Sequence, residues 1–213
     1  MLFWTISALI SGYIIGSLHG SLISQLLTGV NIKKEGVKNS GASNAAIVLG
    51  WKYGALVAVL DIAKGILAVA GFRLLLDASA LPDGTVWTLL FTIGAGVVCG
   101  HNFPIYMKFN GGKGTAPLIG VMLALDWRFG IAGLLLLVIV SLATDYLVAG
   151  VLVLYVTLLA VAVFPADGFW PVAIAILLFA MSIWKHTENI ARVKDGTEKR
   201  VSAVLRKKTA GSA

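Results

Sequence analysis

The chain has 213 residues, 58% of them hydrophobic and 13% charged, with a mean hydropathy of +0.91. A soluble domain carries about 25% charged residues, so the composition excludes an ordinary soluble fold. The net charge of +7 does not point to nucleic acid, because the lysines and arginines gather between apolar runs, where they report membrane orientation.

The predicted spans are residues 2–27, 54–75, 87–107, 115–125, 129–144, 147–163 and 169–186. A helix needs roughly 20 apolar residues to cross a bilayer, and the fourth run, at 11 residues, reads as a partial span. The first run lacks the basic leader and small-residue cleavage site of a secretory signal, so it reads as a retained helix, with His19 facing protein rather than lipid. Between the first two spans lies the compact polar stretch Gly36–Asn44. Its Asn39 and Asn44 suit either a bound ligand or the cap of the apolar helix that follows. Asp61 and Lys64 fall inside the second span at i and i+3. Each alone would be costly in the bilayer, and at this spacing they can neutralise one another. The third span holds Cys99, the single cysteine, which has no intrachain partner and reads as a buried structural residue. It ends near His101 and Phe103-Pro104, in position to support the turn that follows.

That turn is Gly111-Gly112-Lys113-Gly114. Consecutive glycines let backbone N–H groups converge on an anion, lysine adds a point charge, and the helix starting at Thr115 aims its positive end at the same place. It is not a Walker A loop, since Gly114 follows the lysine where Ser or Thr would bind magnesium. The competing reading is a basic loop kept inside by its charge. The last span ends in Lys185-His186-Thr187-Glu188-Asn189, with Asp145 at the inner end of the fifth span. His186 and Asn189 share a helix face and both can orient a hydroxyl or a phosphate oxygen. His186 serves either as a base or as a hydrogen-bonding residue.

Fourteen of the 17 basic residues lie in segments 28–53 and 108–114 and in the tail from residue 185. The positive-inside rule then places the N-terminus outside, the C-terminus in the cytoplasm, and all three polar clusters on the cytoplasmic face. The expected fold is an all-α polytopic membrane protein of about seven transmembrane helices. It forms one domain, 1–213, with 187–213 as a basic tail able to touch anionic headgroups.

Together the clusters resemble the PlsY family of bacterial acyl-phosphate-dependent glycerol-3-phosphate acyltransferases. The resemblance runs from Gly16-Ser17 to Glu198. It rests on Gly36, Asn39, Gly41-Ala42-Ser43-Asn44, Leu49-Gly50, Asp61, Lys64-Gly65, Gly100-His101, Phe103-Pro104, Phe109, Gly111-Gly112-Lys113-Gly114, His186, Glu188-Asn189-Ile190, Arg192, Gly196 and Glu198. It implies a seven-helix enzyme of the bacterial cell membrane with its active site facing the cytoplasm. The implied reaction moves a fatty acyl group from acyl phosphate to the 1-hydroxyl of glycerol 3-phosphate, giving lysophosphatidic acid and inorganic phosphate, with no metal, cofactor or covalent intermediate. The implied partners are those two substrates, membrane lipid and a soluble enzyme that makes the acyl phosphate.

By resemblance, Gly111, Gly112, Lys113 and Gly114 cradle a phosphate and His186 and Asn189 orient substrate. Lys38, Asn39, Ser43 and Asn44 line the glycerol-phosphate side, with Glu188, His101, Asp61 and Lys64 in support. The chain departs from the family pattern at Val37 (usually Ser), Lys38 (Gly), Ile47 (Arg), His19 (Pro) and Asn31 (Asp). The missing Ser and Arg belong to the family's active site, so a diverged paralogue with another acceptor or no acyltransferase activity stands as a second reading. A small-anion transporter is a third, without the inverted repeat that would support it.

Overall fold

The computed structural model describes residues 1–204 and is helical, with no strand among those residues. The helices are α1 Leu2–Ser17, α2 Gly20–Thr28, α3 Ala42–Leu49, α4 Trp51–Asp77, α5 Asp83–Asn102, α6 Thr115–Leu125, α7 Trp127–Thr144, α8 Leu147–Val163, α9 Phe169–Lys185 and α10 Thr187–Lys194. Among the described residues four stretches are long and apolar enough to cross a membrane, Leu2–Thr28, Trp51–Asp77, Asp83–Met107 and Trp127–Thr144, and the bent pair Phe169–Lys185 with Thr187–Lys194 makes a fifth if it is one span, fewer than the seven runs expected. α8 and α9 have 17 residues each, and α6 has 11. At 1.5 Å per residue α6 reaches about 16 Å, roughly half a hydrocarbon core. Arg206, Lys207 and Lys208 of the basic tail lie outside the described residues.

The bundle is built from close helix pairs, α1 on α5, α4 on α6 and α7 on α8. Glycine makes them close. A Cβ on Gly16 would sit 2.1 Å from the Val97 carbonyl oxygen, and one on Gly120 would sit 2.0 Å from that of Ile62. Small residues permit this approach where lipid and core are equally apolar and packing must hold helices together. The outward faces are apolar too, as at Leu135, Ile139 and Leu142 of α7 and Ile176 and Leu177 of α9, which suits a lipid surround.

The first span is not the continuous helix expected over 2–27. It breaks at Leu18 and His19, which are both extended. A break leaves carbonyls and N–H groups without intrahelical partners, and the bilayer core has no water to take them. The α4 ion pair supplies partners on both sides. Lys64 Nζ lies 2.8 Å from Asp61 Oδ1 and donates to the Leu18 carbonyl at 2.7 Å, while Asp61 Oδ1 accepts the Gly20 N–H at 3.1 Å. Lys64 also donates to His101 Nδ1 of α5 at 2.9 Å. Both charges are almost fully buried.

Two substitutions test this architecture by thermal unfolding in detergent. Asp61→Ala leaves a buried lysine uncompensated and should cost about 3–5 kcal/mol. Gly120→Ala forces backbone apart from backbone at α4 and α6 and should cost about 1–3 kcal/mol; a melting temperature equal to the parent's in either variant would contradict the packing described.

Candidate active site

The glycine turn folds back on the end of α5. The Gly111 N–H donates to the Asn102 carbonyl and the Gly112 N–H to the His101 carbonyl, both at 3.0 Å. A Cβ on Gly112 would sit 2.0 Å from His101 Nε2, so only glycine fits there. The expectation that Gly111 and Gly112 turn their own N–H groups to an anion is thereby revised, because α5 carbonyls take both. The unused donors come next. Among the described residues no hydrogen bond engages the N–H groups of Lys113, Gly114 or Thr115. Gly114 takes the left-handed conformation, φ 79°, that starts α6. Free N–H groups at a helix N-terminus, beside an ammonium, make an anion site.

The second contribution comes from the bend between α9 and α10, which turns the chain by 52° at His186. His186 is 5% exposed, and its Nδ1 lies 2.8 Å from the Ser182 carbonyl. A carbonyl only accepts, so Nδ1 carries the proton and Nε2 keeps its lone pair. One turn on, Asn189 Oδ1 accepts from the Lys113 ammonium, joining the glycine turn to the α10 motif. Asn189 Nδ2 donates to Glu198 Oε1 at 2.6 Å, and Arg192 Nε pairs with Glu198 Oε2 at 2.6 Å. Glu188 lies 3.8 Å from the Arg192 guanidinium. Burial, and then the positive charge of Arg192, hold the Lys113 ammonium below the usual lysine range.

The third contribution, residues 31–44, reaches the site through Lys33, whose ammonium donates to the Asn110 carbonyl just before the turn. Lys33 thus joins the stretch just before the Gly36–Asn44 cluster to the residue that precedes the glycine turn. Asn44 is 1% exposed, and its amide is consumed within its own segment. Nδ2 faces the carbonyls of Ile32, Glu35 and Asn39, and Oδ1 accepts from the Val37 N–H. Asn44 therefore shapes the loop and presents no free donor. It is not a helix cap either, since it lies inside α3, whose N-cap is Gly41. Asn39 Oδ1 accepts the Gly41 N–H at 2.9 Å. Lys38 and Ser43 are exposed, and no hydrogen bond or ion pair among the described residues joins Lys38, Asn39 or Ser43 to Lys113, His186 or Asn189. Behind the site, Asp61, Lys64 and His101 form the buried chain already described, with the His19 ring stacked 4.4 Å from that of His101.

Glu198, Arg192 and Lys33 were not singled out for the site from sequence. Arg192 is spaced from Glu188 for an i,i+4 pair, a visible signal. Glu198 comes back only through the turn in which the N–H groups of Thr197 and Glu198 both donate to the Arg192 carbonyl.

A glycine turn with open N–H donors, a lysine bound to an asparagine, and a buried imidazole with a free lone pair lie on an all-helical membrane protein. The family profile described as glycerol-3-phosphate acyltransferase matches residues 6–196. "Glycerol-3-phosphate acyltransferase 1" of Oceanobacillus iheyensis is 42% identical over 207 residues, 97% of this chain and 99% of the relative. "Glycerol-3-phosphate acyltransferase" of Myxococcus xanthus is 34% identical over 197 residues, 92% of this chain and 99% of its own. Two crystal structures of PlsY, an integral membrane glycerol 3-phosphate acyltransferase, share the fold. Its glycerol 3-phosphate form gives a TM-score of 0.80 at 28% identity, covering 92% of this chain and 94% of that one. Its lysophosphatidic acid form gives 0.78 at 29%, covering 94% and 98%. The chain belongs to the glycerol-3-phosphate acyltransferase family.

Because Lys113 loses its proton more easily than a free lysine, the alkaline fall of kcat/KM, which reports the free enzyme, should begin below the ordinary lysine range. Guanidinium stays charged throughout that range. In Lys113→Arg the fall should therefore move to higher pH even though total activity drops, and an unchanged alkaline limb would remove Lys113 from the titration.

Proposed function

We propose that this chain transfers a fatty acyl group from an acyl phosphate to the 1-hydroxyl of glycerol 3-phosphate, at the cytoplasmic face of a bacterial cell membrane. Family membership supports the acceptor and the acyl transfer. The single observation that carries the site is the Lys113–Asn189 contact, which sets the anion turn beside the His186 motif. The basic segments support seven crossings with the N-terminus outside and the C-terminus inside.

In this reading the N–H groups of Lys113, Gly114 and Thr115 and the Lys113 ammonium hold phosphate oxygens. Asn189 positions Lys113, and Glu198 and Arg192 fix Asn189. The substrate hydroxyl oxygen attacks the acyl carbonyl carbon, the bond from that carbon to the phosphate oxygen breaks, and inorganic phosphate leaves. His186 Nε2 accepts the hydroxyl proton. The acyl phosphate is already activated, so positioning and charge stabilisation account for the rate. Lys38, Asn39 and Ser43 line the glycerol side from the α3 loop, and Asn44 keeps that loop in shape. The acyl tail lies in the apolar groove of about 310 Å³ between α1 and α5, lined by Leu9, Ile10, Ile14 and Gly96. A soluble enzyme that makes the acyl phosphate supplies the donor.

A second reading is motivated by Val37 and Ile47, whose side chains offer no hydrogen bond where the family pattern has Ser and Arg. In it the chain is a diverged paralogue with another acceptor.

Purified protein given a long-chain acyl phosphate and glycerol 3-phosphate should yield lysophosphatidic acid and inorganic phosphate in equal amounts. Lys113→Ala should lower the rate about 10–150-fold, the worth of one hydrogen bond to a charged group. Phosphate without lysophosphatidic acid, from a folded sample, would favour the paralogue. A large gain from Val37→Ser with Ile47→Arg would do the same.

A further inference from the structure

We propose that His101 contacts substrate, donating its Nε2–H to an oxygen of the phosphate held at the glycine turn, and that the Asp61–Lys64 pair fixes the tautomer that makes this donation possible. The inference rests on the phosphate-site reading above and adds a donor from beneath the turn.

The argument begins with Lys64. An ammonium has three donors and no acceptor. Its three partners are Asp61 Oδ1 at 2.8 Å, the Leu18 carbonyl at 2.7 Å and His101 Nδ1 at 2.9 Å. His101 Nδ1 must then offer a lone pair, which puts the ring proton on Nε2. The rest of the residue is held as firmly. Its carbonyl accepts the Gly112 N–H at 3.0 Å, and His19 Nε2 lies 3.0 Å from the same oxygen. His19 stacks on the ring with planes 15° apart.

Nε2 faces the turn, 2.0 Å from where a Gly112 Cβ would stand. His101 is 2% exposed, and among the described residues its Nε2 has no hydrogen-bond partner. A buried N–H normally has an acceptor. The groups next along the chain are the unengaged N–H donors of Lys113, Gly114 and Thr115, so the acceptor that completes His101 is the anion those donors gather. Both substrates carry phosphate, and either one supplies the same oxygen chemistry.

The test combines spectroscopy and kinetics on the full chain in detergent. With 15N-labelled histidine, His101 should show a protonated Nε2 and an unprotonated Nδ1. Adding inorganic phosphate should shift the Nε2 signal in the parent and leave it still in Lys113→Ala. His101→Gln, whose amide N–H reproduces the Nε2 donor, should retain most activity. His101→Leu should raise a KM by about 10–150-fold, the range for one hydrogen bond to a charged group, with kcat changed less. Whether the KM for glycerol 3-phosphate or for acyl phosphate rises identifies which phosphate sits at the turn. A proton on Nδ1, or an Nε2 signal indifferent to phosphate, overturns the proposal, and the parent titration decides even if His101→Leu does not fold. A phosphate response in a protein with no acyl transfer would leave His101 in place and sink the acyl-phosphate reaction instead.

Discussion

A helix broken inside a membrane has to find partners for its freed backbone groups within the protein, and here the buried Asp61–Lys64 pair provides them. The lysine takes the carbonyl of Leu18, in the break itself, and the aspartate takes the first N–H of α2. The cost of burying two charges is large. It is offset because each charge meets the other at 2.8 Å and also meets a backbone group that would otherwise be orphaned. The same lysine reaches His101 on α5, so one ion pair ties α1, α2, α4 and α5 together just below the glycine turn. Beyond the break α2 carries the chain to the 31–44 segment.

The glycines do the complementary work. At Gly16, Gly65, Gly100 and Gly120 they let backbone approach backbone, so the paired helices have little room to slide. At Gly112 the same property brings the turn against the His101 ring, and at Gly114 a left-handed residue lets α6 begin with its positive end open. Rigid packing below and free donors above arise from one residue type used for two reasons: absence of Cβ for proximity, and access to positive φ. The short α6 fits this arrangement. A helix that starts partway into the bundle places its N-terminus, and any anion on it, beside protein groups instead of bulk water.

The segment around α3 carries Val37 and Ile47, where the family resemblance implies Ser and Arg. Asn44 spends its amide on three carbonyls and one N–H of its own loop, which leaves the shape of the loop independent of Val37 and Ile47 side chains. The substitutions therefore remove donors without removing the scaffold that carried them. Lys33, bound to the Asn110 carbonyl, keeps a positive charge at the same end of the molecule, though it engages backbone.

Membrane class and the positions of the helices were legible in the sequence because apolarity is summed locally over a span. The expected run 115–125 is α6 itself, and 129–144 lies within two residues of α7. The glycine turn and the charge bias of the loops were legible for the same reason, since each is a property of a few adjacent residues, whereas the expected shared helix face of His186 and Asn189 is interrupted by the bend at His186. The break at Leu18 and His19 was not legible, because the small and polar residues Gly16-Ser17 and His19-Gly20-Ser21 are tolerated within a helix as well as at its end, and the groups that satisfy the break lie more than forty residues away on α4. Nor were the Lys113–Asn189 contact, the return of Glu198 to Asn189, or the loss of the Gly111 and Gly112 N–H groups to α5. The sequence by itself determined which segments are apolar enough to build a membrane protein and which chemical groups wait at their ends. Only the tertiary structure decided which of those groups meet, because a hydrogen bond depends on distance and direction between segments, and neither is written in the order of residues along one of them.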